Sequence, residues 1–142
     1  MSKRFLCAID LTHEDDAKAL LTEAGRLARL EGAALSVVTV LPDYGSTFVG
    51  SFFKQGTLKN ASESAQEALH QMERELLSDL APVQSIVVVG SAYEKVLEAA
   101  ETVSADLVIV GAHKPDFATR VIGPNAARIT RYAQTSVLVV RL

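Results

Sequence analysis

Val108-Ile109-Val110-Gly111-Ala112-His113-Lys114-Pro115-Asp116-Phe117-Ala118-Thr119-Arg120-Val121-Ile122-Gly123-Pro124-Asn125-Ala126 decides the fold. A short β-branched run stopping at Gly111 predicts a buried strand, and a polar loop follows it. Pro124 suits the first position of a helix, where its missing N–H costs no hydrogen bond. Gly123 before it permits close approach of a ligand to the backbone. Free N–H groups in that first turn, together with the helix dipole, form an anion site. His113, Lys114 and Arg120 stand in the loop facing it. Many such loops carry glycine, proline and charge and bind nothing. The chain also contains neither G-x-x-x-x-G-K-[ST] nor G-x-G-x-x-G.

Outward from this stretch, the chain alternates strand and helix. Phe5–Ile9 is an apolar run ending at Asp10, as expected of a central strand buried on both faces. Thr12 and Asp15 resemble a capping box, and Ala17, Leu20, Leu21, Ala24, Leu27 and Ala28 recur at helical spacing up to Gly32. Leu35–Val40 is the second strand. Asn60 or Ser62 is expected to cap the next helix, whose stripe is Ala65, Leu69, Met72, Leu76 and Leu80, closed by Pro82. Ser85–Val89 is the third strand, and Ser91 with Glu94 a capping box for the third helix. Leu107–Val110, a helix from Pro124 to Ala133, and Val137–Val140 complete the series. The pattern predicts one α/β domain over residues 1–142, a doubly wound five-stranded parallel sheet of order 3-2-1-4-5 with four helices, Rossmann-like.

Between Leu41 and Lys59, glycines alternate with Tyr44, Phe48, Phe52 and Phe53. So long a structureless loop is unusual in a compact domain, leaving a lid, a partner contact, or an insert with a short helix.

Composition removes several functions. A net charge of −3 lacks the basic excess of a nucleic-acid binder. No apolar run spans a bilayer, and Asp10 ends the first one too early for a signal peptide. Cys7 is the only cysteine, so no internal disulfide forms, as expected in the cytoplasm, and a small core residue is its simplest role. His70 is expected to face solvent and Met72 the core. The third strand ends Val88-Val89-Gly90, without the aspartate a phosphoacceptor receiver needs. Asp10–Asp16 is too acidic for a flavin phosphate loop, and its His13, Glu14, Asp15 and Asp16 read as helix-dipole partners rather than metal ligands.

Ligands of doubly wound sheets sit where the strand order reverses, beyond the strand ends. In the order 3-2-1-4-5, Asp10 and Gly111 face each other there, with Val40 one strand further along. A carboxylate at Asp10 has two chemistries open: accepting ribose hydroxyls, or holding Mg²⁺ against a phosphate chain. Capping the following turn is the equally simple structural alternative.

The chain resembles the universal stress proteins in their short single-domain form, over essentially its whole length. The marks are Ile9-Asp10, Thr39-Val40, Gly90-Ser91, Val110-Gly111-Ala112-His113, Gly123-Pro124-Asn125-Ala126-Ala127-Arg128-Ile129 and Ser136–Arg141. The resemblance implies ATP binding; Asp10, by its place at the strand end, is the candidate carboxylate for Mg²⁺ bound with the phosphates. Ala8, Ile9, Asp10 and Val40 would surround adenine and ribose, with Val110 and Gly111 continuing the pocket. His113, Lys114, Arg120, Gly123, Pro124 and Asn125 would line the phosphates. Two departures from the family's G-x-x-G, nine-residue, G-[STN] pattern stand out. Lys114 replaces the second glycine with the interval one residue short, and Pro124 replaces a hydroxyl residue. Asn125 and Lys114 supply an amide and a charge that offset this loss.

The resemblance further implies a homodimer through Val137–Val140, or a higher oligomer. It implies a regulatory stress-response role beside a transporter or sensor, with the nucleotide state tuning oligomerisation or partner binding. The alternatives are a slow ATPase or nucleotide-processing enzyme, and a nucleotide-independent signalling dimer. No H-x-G-H motif or convincing water-activating carboxylate supports an enzyme, and Asp116 reads as a turn residue.

Overall fold

The computed structural model describes residues 3–42, 55–112 and 123–142, with side chains in the second range from 60 onward. The elements follow in the order β1 (Arg4–Ala8), α1 (Glu14–Glu31), β2 (Ala34–Leu41), α2 (Gln55–Leu76), β3 (Gln84–Val89), α3 (Ala92–Thr102), β4 (Leu107–Ala112), α4 (Pro124–Tyr132) and β5 (Ser136–Arg141). The strands form one parallel sheet of order β3-β2-β1-β4-β5, as the alternating pattern predicted.

The two faces of the sheet sort by the two-residue period of a strand. Phe5, Cys7, Ile9, Leu35, Val37 and Ile109 pack beneath α1 and α2 with Leu20, Leu21, Leu69 and Met72. Leu6, Val38, Val108 and Val110 pack beneath α3 and α4 with Val96, Ala100, Ala126 and Ile129. Both faces of β1 are therefore sealed, which is why its sequence is an uninterrupted apolar run. Cys7 is fully buried, and His70 is exposed while Met72 is in the core.

Several local expectations need correction. The first helix begins at Glu14 after His13, with no side-chain cap. Thr12 serves Asp10 instead: its N–H and its hydroxyl donate to Asp10 Oδ1 at 2.9 and 2.6 Å. Glu14, Asp15 and Asp16 do occupy the first turn, where the dipole favours them.

Asn60 and Ser62 lie inside α2, which begins at Gln55. Once Ala65, Leu69 and Met72 anchor the helix, each added residue brings one more hydrogen bond at little cost. Its C-terminus is at Leu76 rather than near Pro82, while Leu77 and Leu80 still pack on the core. Residues 43–54 of the glycine-aromatic segment lie outside the described residues.

Ser91 does occupy the N-cap position of α3, without a capping bond, while Glu94 accepts the Tyr93 hydroxyl at 3.2 Å. The fourth strand runs past Gly111 to Ala112 because Val140 and Arg141 of β5 supply partners there. Gly32 closes α1 as expected, at φ +63°, with the Ala33 N–H reaching back to Ala28 O at 2.9 Å.

Candidate functional site

A cleft of about 630 Å³ opens beyond the C-terminal ends of β1, β2 and β4, where the chain reverses direction across the sheet. Every described residue of the expected set lines it: Ala8, Ile9, Asp10, Val40, Val110, Gly111, Gly123, Pro124 and Asn125. His113, Lys114 and Arg120 lie outside the described residues, as does Asp116. The volume falls in the roughly 300–1,000 Å³ range of small-molecule sites.

Strand ends build the floor, because each parallel strand delivers its last residue to the same edge. Val38 and Val40 from β2, Ala8 from β1 and Val110 from β4 present apolar surface beneath Ala92, Val96, Ala126 and Ile129. Ala17 and Leu20 of α1 close the other side. Strand-end reasoning missed these helical walls, whose placement depends on how far each helix overhangs the sheet. His13 and Asp16, three apart in and before the first turn of α1, also line the mouth; their spacing beside Asp10 was the available signal.

Asp10 is a charged acceptor. Burial alone would raise its carboxyl. The Thr12 hydroxyl, the Thr12 N–H and His13, by hydrogen bond and by charge, outweigh that and hold it below the usual aspartate value. Its Oδ1 receives both Thr12 donors, and its Oδ2 stands 3.2 Å from His13 Nδ1. A carboxylate offers about four acceptor positions, so this set leaves room for about one more donor or cation. The turn-capping role and an outward-facing acceptor thus coexist in one side chain.

Val40 contributes backbone. Ile9 N–H donates to Val38 O at 2.9 Å, and Gly90 N–H to Leu41 O at 2.9 Å, so alternate residues of β2 face β1 and β3. Val40 shares the parity of Val38, and its N–H and C=O point to the β1 side. There β1 has already ended, the pairing closing at Ala8 opposite Val38. Among the described residues no backbone carbonyl takes the Val40 N–H.

At the far side, α4 starts at Pro124 after Gly123, which adopts φ −61°, ψ 162° and gives no side-chain cap. The first intrahelical bond is Ala127 N–H to Gly123 O at 3.0 Å, so the Asn125 and Ala126 N–H groups have no helical acceptor. They and the dipole make this the anion-seeking end of the cleft. No described atom lies within 4 Å of a Cβ built on Gly123. Among the described residues no group of three or more His, Cys, Asp or Glu is gathered to hold a metal.

Residues 1–141 match the model of the Universal stress protein family. Universal stress protein G of Shigella flexneri is 28% identical over 143 residues, covering 99% of this chain and 100% of the relative. Among solved structures, Universal stress protein UspA from Lactobacillus plantarum superimposes with a TM-score of 0.78 at 22% identity, over 98% of this chain and 97% of that one. The universal stress protein from Archaeoglobus fulgidus in complex with dAMP gives 0.68 at 21%, over 97% of both chains. A universal stress protein in complex with cAMP gives 0.67 at 20%, over 99% of this chain and 97% of that one. These structural likenesses establish the shared fold.

Proposed function

Since the chain belongs to the universal stress protein family, we propose that it is a single-domain, ATP-binding regulatory protein of the stress response. ATP occupies the cleft with its base on the apolar floor, its ribose at Asp10 and its phosphates toward Gly123, Pro124 and Asn125. The observation that carries this reading is the sequence of surfaces along one cleft. Outward-facing Val40 backbone is followed by an ionised Asp10 with one acceptor position to spare, then by the uncapped start of α4. The dAMP and cAMP complexes of structurally similar proteins support it. In this reading Lys114 and Arg120 add positive charge around the phosphates and His113 a hydrogen-bonding imidazole.

Mg²⁺ fits only as a companion of the nucleotide. It keeps several waters and takes one or two carboxylates beside substrate phosphates, so Asp10's remaining position suffices.

The role is regulatory rather than catalytic, with hydrolysis at most slow. The nucleotide state tunes self-association through the edge strand β5 or the binding of a cytoplasmic partner, such as the inner portion of a transporter or sensor. No helix among the described residues is long and apolar enough to cross a membrane. The half-buried apolar residues of β5, at an open sheet edge, favour pairing with a second copy. For nucleotide to act as a switch, the partner must bind the filled and empty forms unequally.

The test is thermal unfolding with Mg-ATP, ADP, AMP or no nucleotide. Ligand at about a hundred times its Kd stabilises the folded state by ~2.7 kcal/mol. Gly123→Val, whose Cβ would meet no described atom within 4 Å and whose backbone is ordinary for valine, is expected to keep its fold and lose the ATP response. Wild-type protein indifferent to all three nucleotides at millimolar concentration overturns the proposal.

A further inference from the structure

The one buried polar side chain among the described residues is Thr39, 2% exposed, in β2 one residue before Val40. Its hydroxyl donates to the carbonyl of Ile9 at 3.0 Å. In an unbroken parallel ladder the next rung after Ile9 N–H to Val38 O is Val40 N–H to Ile9 O. That rung is absent, although its predecessor is intact at 2.9 Å. The threonine hydroxyl has taken the place of the Val40 amide on the Ile9 carbonyl.

We infer that Thr39 is a positioning residue of the cleft, ending the β1–β2 ladder one rung early so that the Val40 N–H is kept for a ligand. The inference rests on the nucleotide reading for the ligand's identity, while its structural half stands without it. Leaving a ladder amide unpaired costs free energy, and a side-chain hydroxyl that already bonds the competing carbonyl offsets part of what closing the ladder would gain. The same bond ties the chain immediately before Asp10 to β2. The amide donor and the carboxylate acceptor thus keep a set separation across the cleft.

An exposed N–H beside its own C=O has a definite preference among purines. Adenine offers an acceptor at ring N1 beside an amino donor, which complements that pair. Hypoxanthine offers a donor N1–H beside a carbonyl, which opposes it. Thr39 therefore contributes to base selection without touching the base.

Two measurements on wild type, Thr39→Val and Thr39→Ser test this. The first needs no nucleotide: hydrogen exchange of the Val40 amide, followed by NMR. Thr39→Val frees the Ile9 carbonyl for the Val40 N–H, so exchange slows by tenfold or more relative to wild type, while Thr39→Ser keeps the wild-type rate. Equal protection of the Val40 amide in wild type and Thr39→Val overturns the inference. The second compares AMP with IMP affinity by titration calorimetry. Losing one hydrogen bond is worth about tenfold, so the AMP preference falls by that factor in Thr39→Val and is restored in Thr39→Ser. An unchanged AMP/IMP ratio in Thr39→Val, with exchange slowed as expected, refutes the role in base selection. Wild-type protein binding neither nucleotide defeats the functional reading, and with it base selection, while the exchange result still decides the ladder.

Discussion

Cys7 lets the opening of the cleft be timed by a single chemical event, because it is the only thiol in the chain. It lies in the central strand between Val37 and Ile109, fully buried, and burial pushes its pKa from 9.0 to about 12. That difference leaves about a thousandfold less thiolate in the folded protein at pH 8, and the thiolate is the reactive form. A reagent that cannot reach the sulfur must also wait for β1 to leave the sheet. Even at the low end of domain stability, about 5 kcal/mol, only about one molecule in five thousand is open at a time. Opening is thus the harder requirement.

The assay is disulfide exchange with an aromatic reagent at pH 8, comparing native protein with protein in urea. Native labelling is expected to be slower by about five-thousandfold or more. Ala8, Ile9 and Asp10 continue from Cys7 into the cleft, so exposing the thiol dismantles the binding surface. Nucleotide at about a hundred times its Kd should then slow labelling a further hundredfold. Native labelling within tenfold of the unfolded rate refutes the burial argument. A nucleotide that raises the melting temperature but leaves labelling unchanged refutes the coupling of β1 to the site.

Two further outcomes follow from local geometry. Gly32→Ala places a Cβ on a residue at φ +63° and should destabilise the protein by about 1 kcal/mol in urea titration; unchanged stability contradicts the left-handed cap. Asp10 has a lowered carboxyl pKa in the fold, so its stabilisation is present above the unfolded carboxylate value and disappears as pH falls through the folded one. Asp10→Asn is therefore expected to be less stable at neutral pH, with the gap closing in acid. A gap that widens toward acid, in unfolding midpoints measured across pH, contradicts the assignment.

The strand order and the cleft's floor were readable because they rest on long-range patterns with one solution. Apolar runs sealed on both faces, spaced by helices, leave little choice of sheet, and the sheet determines where Ala8, Val40 and Val110 end. The capping boxes failed for a different reason: residue types identify candidate donors and acceptors but not which pairing prevails. Thr12 serves Asp10, and Glu94 takes the Tyr93 hydroxyl. Gly56 and Asn60 look like helix breakers in isolation, yet α2 runs through both. The Thr39 bond to Ile9 had no signal in the sequence, since it depends on where two strands part.

The cleft draws its walls from both sides of the sheet, Ala17 and Leu20 from one layer, Val96 and Ile129 from the other. A molecule seated there acts as a bolt through a laminate, clamping together helices that otherwise meet through the strands between them. On the nucleotide reading proposed above, this gives a protein resting against either outer surface a way to tell the filled form from the empty one.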